Sequence, residues 1–205
     1  MNIVLLHGIF DSGRIFDKLV RALEAEGHVC HAPSMQPADG RHGIHHLACS
    51  VERYIAEHLP QNAPFLLVGF SMGGIVSRQY LQVLGGCERV PVFFSISCPH
   101  AGSLATYLYF GQGARDMRPG SAQLAQLKAS ESTLDGMQIH NYWTSLDLVI
   151  IPASHCRWAR ADTEMETRVL LHRWMLSDRQ VCADIVRRAG EAAARLERLE
   201  RPQRD

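Results

Sequence analysis

The fold is decided by the stretch FLLVGFSMGG, residues 65–74. Its first four residues are all apolar, which is typical of a short strand that is buried on both faces. The pattern Gly-x-Ser-x-Gly follows at residues 69–73, and apolar residues then recur at helical spacing up to residue 84. A strand, a sharp turn and a helix in this order predict that Ser71 has strained backbone geometry and presents its hydroxyl at the carboxyl end of a sheet.

Two glycines flank this serine and fit the predicted turn. Gly69 and Gly73 carry no Cβ, so the turn can close tightly around Ser71. Met72 would begin the helix, and its backbone N–H would then point toward negative charge that forms at Ser71. We interpret Ser71 as a catalytic nucleophile, and the alternative is an ordinary serine in a glycine-rich turn.

The composition is that of an ordinary globular protein. The 205 residues are 46% hydrophobic and 20% charged, and the formal net charge is zero. At this length we expect one domain over residues 1–205. A neutral chain argues for neither nucleic acid nor an anionic membrane surface.

The cysteines and the apolar runs bear on the location of the protein. The six cysteines form no C-x-x-C pair, which argues against a zinc knuckle and gives little support to a disulfide framework. Free thiols fit a reducing compartment. The first residues lack the basic region of a signal peptide, and no apolar run approaches the ~20 residues of a membrane span. We therefore expect a cytoplasmic protein without a transmembrane segment.

Apolar runs and helical periodicities alternate along the rest of the chain. This alternation predicts a doubly wound α/β sheet of about six mostly parallel strands, with helices on both faces. The strand candidates are 3–6, 29–32, 65–68, 90–96, 137–143 and 167–171, and the main helix candidates are 14–25, 44–59, 75–84, 121–129 and 174–196.

Further motifs follow the predicted strands, and together with the serine turn they resemble the α/β-hydrolase superfamily, specifically its small lipase and esterase branch. HGI stands at residues 7–9, after the first strand. The loop 97–103, SCPHAGS, is similar to the family's T-P-H-x-G-S/T segment, with Cys98 in place of threonine, and TSLD stands at residues 144–147. The resemblance implies the α/β-hydrolase fold in a minimal version.

We expect a minimal member of the superfamily, without the amino-terminal hairpin of larger members, since the given sequence starts directly on the strand before HGI. No long insertion exists for a large cap domain. The segment 104–120, which contains Tyr107, Tyr109 and Phe110, is the one candidate for a short lid or a wall of the acyl pocket. An ordinary helix that packs on the sheet is the alternative.

The resemblance implies an acid that follows the nucleophile in the chain and orients a catalytic histidine. Asp147 comes after the strand candidate 137–143, so its carboxylate is expected at the same sheet edge as Ser71. Asp135 precedes that strand and would lie at the opposite edge. We therefore assign the acid to Asp147, and a turn or helix-capping aspartate is the alternative role.

Eleven histidines compete for the role of the base. His172 follows the last predicted strand and precedes the final helix, which is where the resemblance implies the base. His155 lies closer to Asp147 in sequence, but no predicted strand separates the two residues. It is therefore the reserve candidate. His100 and His140 precede Asp147 and would break the chain order of the family.

An oxyanion hole needs a second backbone N–H besides that of Met72, and the loop after the first strand supplies it in this family. Ile9 is the expected donor, and Phe10 is the alternative. His7 is interpreted as a structural residue that braces this loop.

The resemblance implies hydrolysis of a small acyl ester through an acyl-enzyme, with no metal or organic cofactor. Thioesterase and acyltransferase reactions would use the same three side chains. A binding module on a hydrolase fold is the alternative from a different class, since a fold does not by itself define a function.

Overall fold

The strand that precedes Ser71 lies near the middle of a parallel sheet. The computed structural model describes residues 1–200, and residues 201–205 of the predicted single domain lie outside the described part. The strands in that part are Asn2–Leu6 (β1), Val29–His31 (β2), Phe65–Phe70 (β3), Val92–Ile96 (β4), Gln138–Thr144 (β5) and Thr163–Thr167 (β6).

These strands form one sheet in the order β2-β1-β3-β4-β5-β6, and every neighbouring pair is parallel. The central strand β3 is buried along its whole length, as its unbroken apolar run predicts. The prediction of a minimal α/β-hydrolase fold with about six mostly parallel strands is therefore confirmed.

Helices cover both faces of this sheet. Their bounds are Asp17–Ala25 (α1), Ile44–His58 (α2), Met72–Val83 (α3), Gln112–Asp116 (α4), Ala122–Ala129 (α5) and Arg179–Glu200 (α6). Side chains of α1 and α6 form one apolar core with Ile3 and Leu5 of β1, and side chains of α2, α3 and α5 form a second core with Val4 and Leu6. Successive residues of one buried strand thus face opposite cores.

The prediction of a last strand at residues 167–171 is wrong. The last strand of the described chain is β6, whose sequence TEMET alternates in burial because it pairs only with β5 and forms an edge of the sheet. The apolar residues that suggested a strand, Leu170 and Leu171, lie in the following loop with exposed fractions of 56% and 45%. A continuous apolar run predicts a strand that is buried on both faces, whereas an edge strand needs only an alternation of more buried and more exposed side chains.

The longest excursion from the sheet within residues 1–200 joins β4 to β5. It contains a 3-10 helix at Leu104–Leu108, then α4 and α5, and no large cap domain covers the sheet in the described part. None of the helices described is both long enough and apolar enough to cross a membrane.

Candidate active site

Ser71 forms the turn between β3 and α3. Its φ and ψ are 54° and −125°, a conformation that residues with a Cβ rarely adopt and that costs on the order of 1–3 kcal/mol. The helix begins immediately, at Met72, while the N–H of Ser71 still donates to the carbonyl of Ile96 in β4 at 2.9 Å. The chain therefore changes from strand to helix at a single residue.

The glycines of the motif allow the neighbouring chain to approach this turn. A Cβ on Gly73 would overlap the carbonyl oxygen of Leu6 in β1, and a Cβ on Gly69 would lie 2.6 Å from Cα of Gly74. A Cβ on Gly8 would lie 3.1 Å from Cβ of Ser71. The loop after β1 is thus packed directly against the serine, and the absence of side chains is what makes this possible.

Asp147 and His172 form a buried hydrogen-bonded pair. Oδ2 of Asp147 accepts from Nδ1 of His172 at 2.7 Å, and Oδ1 accepts from the N–H groups of Val149 at 2.9 Å and Ile150 at 3.0 Å. Burial of the carboxyl acts to raise its pKa, but the hydrogen bond and charge of His172 and the two N–H groups outweigh it, so that the pKa of Asp147 is lowered.

The second ring nitrogen of His172 has no partner among residues 1–200. Nε2 is buried and makes no hydrogen bond to the described chain. The imidazole ring packs against Phe70, the residue before Ser71, with 4.8 Å between the ring centroids. A buried nitrogen without a partner is rare in folded proteins and often marks a group that acts on a ligand.

The alternative residues for the acid and the base lie in other contacts. Nδ1 of His155 donates to the carbonyl of Gly102 at 2.8 Å. Asp135 is exposed and forms an ion pair with Arg160 at 3.3 Å. The structure therefore brings His172, and not His155, into contact with the carboxylate of Asp147.

Two backbone N–H groups are available beside Ser71. The N–H groups of Ile9 and Met72 donate to no other residue in the part of the chain that the structure describes. The N–H of Phe10, the alternative donor, is occupied by the carbonyl of Ala38 at 2.8 Å. Met72 is the first residue of α3, and the first N–H groups of a helix have no partner within the helix.

His7 holds the loop that carries Ile9. Its Nδ1 donates to the carbonyl of Gly8 at 2.8 Å, and its Nε2 accepts the N–H of Met35 at 2.8 Å. The side chain is fully buried, and burial lowers its pKa, which keeps the ring neutral. Both nitrogens are thus used within the chain, as a bracing residue requires.

Sequence reasoning missed Ser103, whose hydroxyl joins two of the site's loops. Its Oγ donates to the carbonyl of Val149 at 3.0 Å and accepts the N–H groups of Ile151 at 3.0 Å and Ala105 at 3.2 Å. The loop after β4 is thereby fixed to the loop that carries Asp147. Its place in the motif 97–103 was the only signal, and that signal does not reveal the partners.

Sequence reasoning also missed a buried cation behind the serine turn. Arg78 of α3 is only 2% exposed, lies 3.0 Å from Glu131 and covers the ring of Trp158 at 4.4 Å. His100 stacks on the same ring with 4.3 Å between the centroids, and its Nδ1 lies 3.4 Å from a guanidinium nitrogen of Arg78. Burial, followed by the charge of Arg78, lowers the pKa of His100 well below the usual value. The network ties α3 to the loop after β4.

A largely apolar cavity opens beside Ser71. The cavity is narrow, with a volume of about 40 Å³. Most of the lining comes from the first loop, the segment 99–117 and the loop of Asp147. The lining residues are Ile9, Ser71, Pro99, Ser103, Ala105, Thr106, Tyr109, Ala114, Met117, Val149 and Ile150. Residues of the segment 104–120 thus form one wall of the cavity. Among residues 1–200, no three His, Cys, Asp or Glu side chains are grouped so that they could hold a metal ion.

The sequence matches the model of the alpha/beta hydrolase family over residues 3–202, so the chain belongs to this family. Comparison with curated proteins gives no match.

Solved structures of esterases and lipases share the fold. A lipase of Bacillus licheniformis, BlEst2 in its mature form, is 13% identical, with a TM-score of 0.70 over 90% of this chain and 91% of that one. Polyneuridine aldehyde esterase is 18% identical, with a TM-score of 0.66 over 92% and 98%. A pyrethroid hydrolase from Sphingobium faniae JZ-2 is 17% identical, with a TM-score of 0.61 over 95% and 99%. At these identities the likeness concerns the fold.

Proposed function

We propose that this protein is a serine hydrolase that cleaves carboxylic esters through an acyl-enzyme. Ser71 attacks the ester carbonyl, and Nε2 of His172 takes the proton of the serine hydroxyl. Asp147 holds the imidazole through Nδ1 and stabilises its charged form. The N–H groups of Ile9 and Met72 bind the oxygen that becomes negative in the tetrahedral intermediate.

The same groups then release the alcohol and hydrolyse the acyl-enzyme. The imidazolium of His172 gives its proton to the leaving alkoxide, and the acyl group stays on Ser71. Water then loses a proton to Nε2 and attacks the acyl carbonyl. When this second tetrahedral intermediate collapses, the imidazolium returns that proton to Oγ of Ser71 and the carboxylic acid leaves. The apolar lining of the cavity would contact the acyl group during both steps.

One observation carries the proposal. The bond between Asp147 and Nδ1 of His172 leaves Nε2 buried and without a partner in the described chain, in a ring that packs on the residue before Ser71. A surface histidine or a capping aspartate would have no need of this arrangement. The assignments of all five groups are proposals that this geometry supports.

Hydrolysis of p-nitrophenyl esters from acetyl to long acyl chains is the first test. Ser71→Ala should lower kcat/KM roughly 10³-fold or more. Ser50→Ala is the matched control, because Ser50 is a serine of α2 whose hydroxyl, within residues 1–200, bonds only to the carbonyl of His46. An inert wild type, or a Ser71→Ala variant as active as the control, would contradict the proposal.

A second pair of variants separates the two candidate bases. A fluorophosphonate, which forms a covalent bond only to an activated serine, should label the wild type and His155→Ala but neither Ser71→Ala nor His172→Ala. Normal labelling of His172→Ala together with loss of labelling in His155→Ala would transfer the role of the base to His155.

Substrate preference distinguishes the nearest alternatives. A thioesterase or an acyltransferase would use the same side chains, so thioesters and oxyesters of equal acyl length should be compared, with and without an added alcohol as acceptor.

A cytoplasmic location and a single domain over residues 1–205 remain part of the proposal. The six free cysteines support such a location, because thiols persist in reducing compartments.

A further inference from the structure

The exposed apolar side chains of this protein are concentrated at one edge of the sheet. Within residues 1–200, every large hydrophobic side chain with strong exposure belongs to Phe10 or to the segments 104–110, 146–151 and 170–174, except Val29 and Leu199. These parts follow the carboxyl ends of β1, β4, β5 and β6. We call this surface the apolar rim. A monomeric protein rarely exposes so many apolar side chains together unless they bind something.

Contacts between the loops make the rim one surface around the cavity. The ring of Phe10 lies 5.8 Å from the ring of Tyr109, and the N–H of Leu104 donates to the carbonyl of Ile151 at 2.8 Å. Tyr109 also lines the cavity that contains Ser71. The mouth of the candidate active site therefore opens within the apolar rim.

Several side chains of the rim project away from the protein. Phe110 is 97% exposed and Leu108 is 79% exposed, so both make almost no contact with their own chain. Tyr107 and Trp174 are more than half exposed, and rings with one polar group are typical of the boundary between water and lipid. Projecting apolar side chains with such rings beside them are suited to insertion into a fluid apolar layer.

The charges at the rim are those that tolerate phosphate groups. Within Phe10 and the three segments, Asp147 is the sole carboxylate, and it is buried against His172. Arg173 pairs with Asp11 at 2.9 Å, which neutralises that carboxylate and joins the segment 170–174 to the loop of Phe10. The guanidinium of Arg118 lies 4.5 Å from the ring of Tyr107. Of the two arginines, Arg173 is thus neutralised by Asp11, whereas Arg118 forms no ion pair within the described chain and keeps its positive charge beside the rim.

We propose that the apolar rim docks on the surface of a phospholipid bilayer, with Leu108 and Phe110 inserted among the acyl chains and Arg118 at the phosphates. The choice of a bilayer rests on the proposed function. A lipid surface offers acyl esters at the mouth of the cavity, whereas a protein partner or a second copy of the chain would cover that mouth.

Vesicle sedimentation of Ser71→Ala protein tests docking without turnover. Ser71→Ala should sediment with phosphatidylcholine vesicles, and more strongly when phosphatidylglycerol is added. Adding Leu108→Ser and Phe110→Ser to this background should weaken the partition on the order of tenfold or more. Val29→Ser with Leu199→Ser is the matched control, because it removes two exposed apolar side chains from outside the rim and should bind as before.

The chain carries its own fluorescent reporter of this contact. Trp143 and Trp158 are buried, whereas Trp174 lies in the rim and is 55% exposed. Vesicles should therefore shift tryptophan emission to shorter wavelength, and brominated lipids should quench it. Trp174→Phe should lose the shift while it still sediments with vesicles.

The outcomes separate failure of docking from failure of the proposed function. Hydrolysis of soluble p-nitrophenyl acetate without vesicle binding would overturn the docking proposal alone, and vesicle binding without hydrolysis would overturn the catalytic proposal alone. The docking proposal would also be wrong if Val29→Ser with Leu199→Ser weakened vesicle binding as much as Leu108→Ser with Phe110→Ser. Analytical ultracentrifugation without lipid tests the other occupant. A dimer of the parent protein that Leu108→Ser with Phe110→Ser abolishes would assign the surface to a second copy of the chain.

Discussion

Replacement of Asp147 by asparagine tests the proposed catalytic pair of Asp147 and His172 through a single hydrogen bond. In the wild type, Oδ1 accepts the N–H groups of Val149 and Ile150, while Oδ2 accepts from Nδ1 of His172 at 2.7 Å. An asparagine must keep its carbonyl oxygen toward the two N–H groups, because its NH₂ group cannot accept them. The NH₂ group is then placed against Nδ1 of His172.

This placement inverts the tautomer of the base. Nδ1 has to accept from the asparagine, so the ring proton moves to Nε2, and Nε2 can no longer take a proton from Ser71. The same change in other serine hydrolases lowers kcat by about 10⁴, which is about 5 kcal/mol in transition-state free energy. We expect a loss of this order for Asp147→Asn.

The stability of the same variants provides the control. Asp147→Asn keeps both loop hydrogen bonds and loses only the stability that comes from the lowered pKa of Asp147, so it should unfold at a slightly lower urea concentration than the wild type. Asp147→Ala leaves the N–H groups of Val149 and Ile150 without a partner, which costs about 1–3 kcal/mol for each group that water does not reach. Both should lose activity, but only the alanine variant should lose substantial stability.

Kinetics with p-nitrophenyl butyrate at pH 7 and urea unfolding monitored by circular dichroism measure these two quantities. A loss in kcat below tenfold for Asp147→Asn would refute the reasoning, because the inverted tautomer cannot act as a base. A large loss of stability in the asparagine variant would instead refute the orientation deduced from the two N–H groups.

Three further results are expected. Ser71→Gly should be about 1 kcal/mol more stable in urea than Ser71→Ala, since glycine adopts a φ of 54° without strain, and equal stabilities would contradict the strained turn. Ser103→Ala should lose about 1–3 kcal/mol and also lower kcat, because the N–H of Ile151 and the carbonyl of Val149 lose their partner; an unchanged kcat would mean that the loop is fixed by other contacts. The lowered pKa of Asp147 adds stability that is present above its unfolded pKa of about 3.9 and is lost as the pH falls through the folded value, so urea midpoints should fall less on acidification for Asp147→Asn than for the wild type.

The parts of the fold that sequence predicts well are those where burial is complete. The predicted strand 65–68 is apolar at every position, and in the structure it begins at the same residue and extends to Phe70. The edge strand Thr163–Thr167 carries no such run, because one side of it faces solvent. The exposed residues Leu170 and Leu171 carried the apolar signal instead, and a composition rule cannot tell a buried run from a run that faces a ligand or a lipid.

The candidate site was predictable wherever position along a strand fixes position in space. All strands in the described part are parallel, so residues that follow different strands meet at one edge, and this alone brings Asp147 and His172 together. An error of several residues in the last strand did not disturb the result, because His172 still follows the strand that pairs with β5.

Topology could not supply the contacts that depend on how two loops pack. The carbonyl of Ala38, which lies far from Phe10 in sequence, occupies the N–H of Phe10, and this contact is the reason why Ile9 is the proposed donor. The bonds of Ser103 depend in the same way on the path of the chain after Asp147. A free N–H is a property of the folded loops together, so the candidate donors to a developing negative charge are the last part of the site that a sequence can define.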